Sequence, residues 1–101
     1  MKRKVVFMFI NKAITEVKRT EMDLGQGMMI FVGVGSYASA CKEAKKLVDE
    51  GVIMIELCGG FGTMGHAKVT EAVAGTGVQV GVVRFDNHPG YDNESGDVRW
   101  G

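Results

Sequence analysis

Two apolar runs joined by a helix-length segment constrain the fold of this 101-residue chain more than any other feature. The runs occupy residues 52–57 (VIMIEL) and 78–85 (VQVGVVRF). Strands buried on both faces of a parallel sheet are continuously apolar, and two parallel strands need a long crossover connection, which the intervening segment supplies. The pattern therefore predicts a β-α-β unit. The polar residues that follow each run are then expected at one edge of the sheet, where ligands bind in open parallel sheets.

The rest of the chain is predicted to complete a small α/β domain over residues 1–101. Residues 4–10 (KVVFMFI) and 28–34 (MMIFVGV) are two further strands. Ser36 is placed to cap a helix that runs to about Glu50, and a second helix is predicted from about residue 64 to residue 74. Residues 11–27 fit either a short helix or one arm of a hairpin. We therefore predict a mainly parallel four-stranded sheet with two or three helices, and a possible extra hairpin near residues 15–34.

Charge and composition exclude several classes of function. Twelve basic residues balance twelve acidic ones, whereas a nucleic-acid binder needs a surplus of cations, so we expect no nucleic-acid partner. No apolar run approaches the ~20 residues of a membrane span, and no signal-peptide pattern is recognised. Two cysteines without CxxC spacing form no disulfide framework. We therefore expect a cytoplasmic protein with reduced thiols and no membrane partner.

A glycine-rich turn follows the first run and is the clearest candidate for ligand binding. Residues 60–65 (GFGTMG) match the G-x-G-x-x-G pattern, in which backbone amides at a helix start bind phosphate, and Asp86 stands where a ribose-binding acid is expected. The alternative is a turn that only packs a helix against a strand. Some form of anion binding is expected at this turn and at the end of the next strand, through Gly59, Gly60, Phe61, Gly62, Thr63, Gly65, Arg84, Asp86 and Asn87.

Two residues at the end of the first run are candidates for catalysis. Glu56 interrupts an apolar strand, where a carboxylate needs a partner, and Arg84 in the neighbouring run is the natural one. The pair is either structural or a general acid or base. Cys58 lies beside the glycine turn, where backbone amides would favour a nucleophilic thiolate, or it is a small packed residue.

The two histidines of the chain, His66 and His88, both fall in polar segments at this edge. His66 is in the first turn of its predicted helix, where the helix dipole disfavours the charged ring and leaves a proton acceptor. His88 precedes Pro89, which favours extended backbone. Two histidines and a carboxylate can hold a metal, but the spacing gives no geometric support, so we predict no metal site. The sequence identifies no cofactor. The acidic segment 91–97 is predicted to be a flexible or ligand-covering loop.

The strings ELCGGFG (residues 56–62) and VRFDNHPG (residues 83–90) carry a resemblance to a known family. Together with residues 31–51, they resemble short bacterial and archaeal proteins known as a domain of unknown function, over about residues 28–97. The family pattern has glycine at the position of Asn87. The resemblance implies a small α/β domain in which the two strings belong together, and it implies no activity.

Four functions therefore remain open. The first is a domain that binds a small anionic metabolite at the glycine-rich turn. The second is a small enzyme that uses Glu56, Cys58, His66 or His88 for acid-base or nucleophilic chemistry. The third is a mononucleotide-binding domain, and the fourth is an oligomer without a ligand. Seven methionines and Trp100 add apolar surface, so we also expect a homo-oligomer, most simply a dimer.

Overall fold

The computed structural model describes residues 3–101 and contains a five-stranded sheet packed against helices. In chain order the elements are β1 (Arg3–Ile10), β2 (Lys18–Asp23), β3 (Gly27–Val34), α1 (Tyr37–Asp49), β4 (Val52–Leu57), α2 (Thr63–Ala72), β5 (Gln79–Val82), a 3-10 turn (Pro89–Tyr91) and α3 (Gly96–Trp100). The predicted class, a small and mainly parallel α/β fold, is confirmed.

The strands lie in the order β2-β3-β1-β4-β5, with β2 antiparallel to β3 and the other neighbours parallel. The sheet therefore has five strands, not the four that the apolar runs predicted. The hairpin alternative for residues 11–27 is confirmed by β2, and the short-helix alternative is wrong. All six residues of β2 are exposed, so this strand lacks the apolar pattern by which strands are recognised.

Both long helices pack on the same face of the sheet. Ser36 caps α1 by accepting a hydrogen bond from the Ser39 amide at 3.0 Å, and Gly51 follows the helix with φ +86°, as predicted for a glycine terminator. One core cluster joins the helices to the sheet, and its fully buried members include Met8, Val32, Leu47, Leu57 and Val69. The helices therefore cover one face of the central strands.

Among residues 3–101, no helix packs on the opposite face of the sheet. Side chains alternate along a strand, so the neighbours of the buried Val6 and Met8 point away from the helices and are only partly buried. Met22 on β2 and Met54 on β4 are 53% and 39% exposed. We call this surface the open face and define it by Val5, Phe7, Phe9, Lys18, Thr20, Met22, Met29, Phe31, Met54 and Glu56.

The second half of the chain departs from prediction at three places. α2 spans 63–72 rather than 64–74, and β5 ends at Val82, so Arg84 and Phe85 lie beyond the strand. Residues 89–101, expected in part as a flexible loop, form the 3-10 turn and α3. Trp100 packs against the core cluster instead of adding apolar surface. The segment after β5 thereby folds back over the carboxyl edge of the sheet.

Within residues 3–101, no helix is both long enough and apolar enough to cross a membrane.

Candidate functional site

A pocket of about 350 Å³ opens at the carboxyl edge of the two central strands. One wall follows β1, a second follows β4, and the C-terminal segment forms the third. We call it the edge pocket, and its lining consists of Ile10, Asn11, Lys12, Cys58, Gly60, His88, Gly90, Tyr91, Arg99 and Trp100. This volume falls in the range of small-molecule sites. The structure thus brings Cys58, Gly60 and His88, three of the predicted site residues, to one cavity.

The charged residues that line the edge pocket are both cations. Lys12 and Arg99 are its charged residues, and it contains no aspartate or glutamate. Neither cation forms an ion pair among the residues described. The Arg99 guanidinium lies over the Tyr91 ring at 4.9 Å from its centroid, which holds the charge beside the pocket. An anion is therefore the complementary ligand.

The imidazole of His88 is oriented by its own loop. Its Nδ1 accepts a hydrogen bond from the Gly90 amide at 3.0 Å, and the ring stacks on Tyr91 at a centroid distance of 4.3 Å. A neutral imidazole carries one ring proton, so the proton lies on Nε2. His88 thus presents a hydrogen-bond donor rather than the proton acceptor that a general base requires.

Cys58 leaves the end of β4 with its sulfur facing the glycine turn. The Cys58 amide donates to the Met8 carbonyl at 2.9 Å, and Cys58 Sγ accepts from the Gly60 amide at 3.4 Å. The residue is half-buried and also packs against the core. Its sulfur is therefore held in place beside the pocket. Such a thiol can either react with a ligand or simply contact it.

Trp100 supplies an unusual polar group to the same region. Its Nε1 is the one side-chain nitrogen or oxygen, among the residues described, that is buried without a hydrogen-bond partner. A buried donor without an acceptor is unfavourable by about 1–3 kcal/mol. Trp100 therefore packs against the core at a cost in stability.

The predicted phosphate position at the start of α2 is filled by the protein itself. The Asp97 carboxylate accepts hydrogen bonds from the Met64 amide, at 3.0 Å to Oδ2, and from the Gly65 amide, at 3.4 Å to Oδ1. The Tyr37 hydroxyl donates to Asp97 Oδ1 at 3.0 Å and accepts from the Gly62 amide at 2.9 Å. Burial, the largest cause, and the neighbouring Asp97 carboxylate raise the pKa of Tyr37 to about 12. The backbone amides and helix dipole thus bind an internal anion.

The glycine pattern is explained by packing within the chain. A Cβ atom at Gly62 would meet the Asp97 carboxylate, and one at Gly65 would lie 2.5 Å from the Tyr37 ring. At Gly59 the corresponding space is taken by the Phe85 ring, and at Gly60 by the Tyr91 hydroxyl. Phe61 is buried and stacks on Tyr37 with ring centroids 5.7 Å apart. These residues let the C-terminal segment approach the turn closely.

Four other predicted site residues surround a smaller hollow of about 60 Å³, which has room for a few water molecules. They are Thr63, His66, Arg84 and Asp86, and the predicted residues Phe61 and Gly62, described above, also line it. His66 Nε2 donates to the Val80 carbonyl at 3.2 Å, because a carbonyl oxygen can only accept. His66 and His88 therefore line different cavities.

The predicted pairing of Glu56 with Arg84 is wrong. Arg84 Nε donates to Asp86 Oδ1 at 2.8 Å, because β5 ends two residues before Arg84. Glu56 is exposed on the open face, where it pairs in register with Phe7 and Gly81. Glu56 lines the hollow beside β5 rather than the edge pocket. The combination of Glu56, Cys58 and His88 is thus not assembled.

Asn87 stabilises the loop that carries His88. Its Nδ2 donates to the Asn93 carbonyl at 3.0 Å, and the His88 amide donates to the Glu94 carbonyl at 2.8 Å. Asn87 does not line the edge pocket. The side-chain hydrogen bond of Asn87 is therefore to its own loop and not to the edge pocket.

No group of three or more histidine, cysteine, aspartate or glutamate side chains among residues 3–101 is arranged to hold a metal ion.

Sequence reasoning missed the residues that define the electrostatics of this edge. Lys12 and Arg99 are single charges in polar segments, where no pattern distinguishes them. Tyr37 and Asp97 are separated by 60 positions and meet only in the folded chain. A partial signal existed for Asp97, since an acid after Ser95 near a helix start is a common capping arrangement.

Comparison with protein families gives one match. A family model described as "Family of unknown function (DUF6506)" matches residues 3–98. No curated protein and no solved structure matched the chain. The resemblance inferred from ELCGGFG and VRFDNHPG is thus confirmed, and the match also includes residues 11–27, which the resemblance did not cover.

Proposed function

The chain belongs to DUF6506, a family of unknown function, and we propose from its geometry that the edge pocket binds a small anionic metabolite. The main support for this proposal is the composition of the pocket wall. Lys12 and Arg99 line the cavity, and no acidic residue does. Two cations that form no ion pair within residues 3–101 attract an anion, and a cleft strengthens the local field.

The donors around the pocket indicate the chemical class of the ligand. Arg99 offers a planar fork of N–H groups that matches a carboxylate or a phosphate, and Lys12 adds a mobile point charge. The Nε2 proton of His88 adds a neutral donor. A volume of about 350 Å³ suits a metabolite smaller than a dinucleotide. We therefore expect a small carboxylate or phosphate ester.

This proposal moves the anion site away from the α2 start, where the sequence pattern had suggested it. A mononucleotide at the α2 amides would have to displace Asp97 from the Met64 and Gly65 amides. The edge pocket requires no such displacement. It includes Gly60 but takes its charge from Lys12 and Arg99.

A second candidate function is an enzyme that uses Cys58 as a nucleophile in the same pocket. The observation that favours it is that Cys58, His88 and two cations share one cavity. His88 could then hydrogen-bond the ligand through Nε2, without acting as the base.

The protein is proposed to act in the cytoplasm. Cys41 and Cys58 are not paired with each other, and thiols remain reduced in that compartment.

The direct test is thermal unfolding in the presence of inorganic phosphate, succinate and citrate, with neutral succinamide as the uncharged control. A ligand that binds the folded state raises the melting temperature by mass action. We expect at least one anion to raise it by several degrees at equal ionic strength. Lys12→Gln and Arg99→Gln should reduce that shift.

Matched controls are Lys42→Gln on α1 and Arg3→Gln at the start of β1, which remove charges outside the pocket. These variants should keep the full shift. The proposal fails if no anion exceeds succinamide, or if the control variants lose the shift as fully as the pocket variants.

A further inference from the structure

We infer that the open face is the interface of a homodimer, in which two copies of this chain pack their sheets face to face. The inference is independent of the ligand proposed above. The centre of the open face is apolar and only partly buried, and it consists of Val5, Phe7, Phe9, Met29 and Phe31. Ile14 from the 11–17 loop covers its carboxyl end beside Gly33. Contiguous apolar patches on soluble proteins usually mark interaction sites.

The size of the open face matches what a stable dimer needs. The four strands that overlap in such a dimer, at about 4.8 Å spacing and paired over about six residues, give roughly 400 Å² of flat area per copy. Two copies thus contribute about 800 Å² of flat area, and the relief of the side chains brings the buried surface to the roughly 1,000 Å² expected of a specific interface. Paired sheets of this kind pack about 10 Å apart with strands aligned within about 30°.

The charges at the margins identify the occupant as a second copy. Lys18 on β2 lies at one side of the open face and Glu56 on β4 lies at the other, and both are exposed. Neither forms an ion pair within residues 3–101. The two sides of the open face therefore carry opposite charges, Lys18 on β2 and Glu56 on β4, while Arg3 lies at the amino end of β1 on the same face.

A twofold axis brings these two margins together. The strand order β2-β3-β1-β4 is symmetric about a line between β3 and β1. Suppose that two open faces pack against each other and that the twofold axis runs along this line, midway between the two sheets. Then β2 of each copy lies over β4 of the other. Thr20 of one copy then lies opposite Glu56 of the other, with Lys18 two residues away along β2 and within reach of that carboxylate, while Phe7 of one copy faces Phe31 of the other. The same contacts form twice, as isologous association requires.

Apolar contact and charge pairing can be tested separately by sedimentation at micromolar concentrations. Met54→Lys introduces a cation into the face at a site that is already 39% exposed, so we expect at least a tenfold weaker dimer with an unchanged melting temperature at concentrations where both proteins are monomeric. Met64→Lys on α2, at a site 47% exposed, is the matched control and should leave the dimer intact.

A charge exchange provides the second arm. Lys18→Glu and Glu56→Lys should each weaken the dimer severalfold, and the double variant should recover affinity to within about threefold of the original protein. Four outcomes would overturn the inference: a monomer throughout, a dimer insensitive to Met54→Lys, equal loss in Met64→Lys, or no recovery in the double variant. Binding of the monomer to lipid vesicles through the open face would assign that face to another partner.

Discussion

The Tyr37 hydroxyl lies 3.0 Å from Oδ1 of Asp97, across 60 positions of sequence. This contact joins the start of α1 to α3, and both groups also bind the turn that begins α2. Three segments that are distant in the chain are thus tied together beside the edge pocket. The stability of this junction, an ion pair at the other end of α1 and the chemistry of the pocket lead to four predictions.

The first prediction concerns the carboxylate at the start of α2. Asp97→Asn removes the negative charge but keeps one acceptor, so we expect a loss of about 1–2 kcal/mol in the free energy of unfolding. Asp97→Ala should lose more, because the Met64 amide and the Tyr37 hydroxyl then lack their partner. Urea denaturation measures both changes. Asp92→Asn, at an exposed left-handed position that asparagine tolerates, is the control and should change stability little. Equal stability of all three variants would contradict the assigned role.

The second prediction concerns the ionisation of Tyr37. Burial raises the pKa of Tyr37 to about 12, so the folded protein keeps a proton that the unfolded chain releases near pH 10. The folded state then binds more protons than the unfolded state, and stability falls as pH rises from about 10 to about 12. Ultraviolet titration of Tyr91→Phe, which leaves Tyr37 as the single tyrosine, should give a midpoint near 12. A midpoint near 10 in the folded protein would show that Tyr37 is solvated.

The third prediction concerns the ion pair that holds the β2-β3 hairpin to α1. Arg19 donates to both oxygens of Glu50, at 2.8 and 2.7 Å, and lowers the pKa of that carboxyl through hydrogen bonding. Both side chains are about one-third exposed, so solvent limits the contribution to about 0.5–1 kcal/mol. Glu50→Gln should lose this amount at neutral pH.

The difference between the original protein and Glu50→Gln should vanish as pH falls. A lowered pKa in the folded state means that the stabilisation is complete above the ordinary glutamate pKa of about 4.3 and is lost below it. Denaturation at neutral pH and at about pH 3 checks the sign. Glu16→Gln, in the exposed 11–17 loop, is the control. A Glu50→Gln effect that persists unchanged in acid would rule out this ion pair as its source.

The fourth prediction uses Cys58 as a probe of the edge pocket. In a Cys41→Ala background, the remaining thiol should react faster with anionic iodoacetate, relative to neutral iodoacetamide, than a small neutral thiol does. The reason is that Lys12 and Arg99 attract the anionic reagent. Lys12→Gln should lower the ratio of the two rates by roughly threefold, as expected for loss of ~0.6 kcal/mol of charge interaction. Lys42→Gln should not change it. A ratio equal to that of the small thiol would contradict a cationic pocket.

Elements with local signals were predictable from the sequence. Ser36 and Gly51 mark the ends of α1 because capping and left-handed termination depend on neighbouring backbone alone. The bounds of β4 follow from its apolar run and the glycine turn after it. β2 was left open because its residues are exposed, so its identity depends on pairing with β3.

The candidate site was only partly predictable, for the same reason. The carboxyl edge and the residues Cys58, Gly60 and His88 followed from strand direction. The division of the predicted site residues between two cavities did not, because it depends on where β5 ends and how the C-terminal segment folds back. The glycine pattern suggested an external anion, whereas the bound carboxylate belongs to Asp97. Glycines in a turn indicate that another group packs closely against the backbone, but they do not identify that group.

The central position of β1 has a consequence for how the protein is made. β1 is the first strand in the chain, yet it lies between β3 and β4, which follow much later. During synthesis β1 is therefore complete before either neighbouring strand has been translated. Its apolar residues lack their partners in the sheet at first, and the centre of the sheet cannot form until Leu57 has been added.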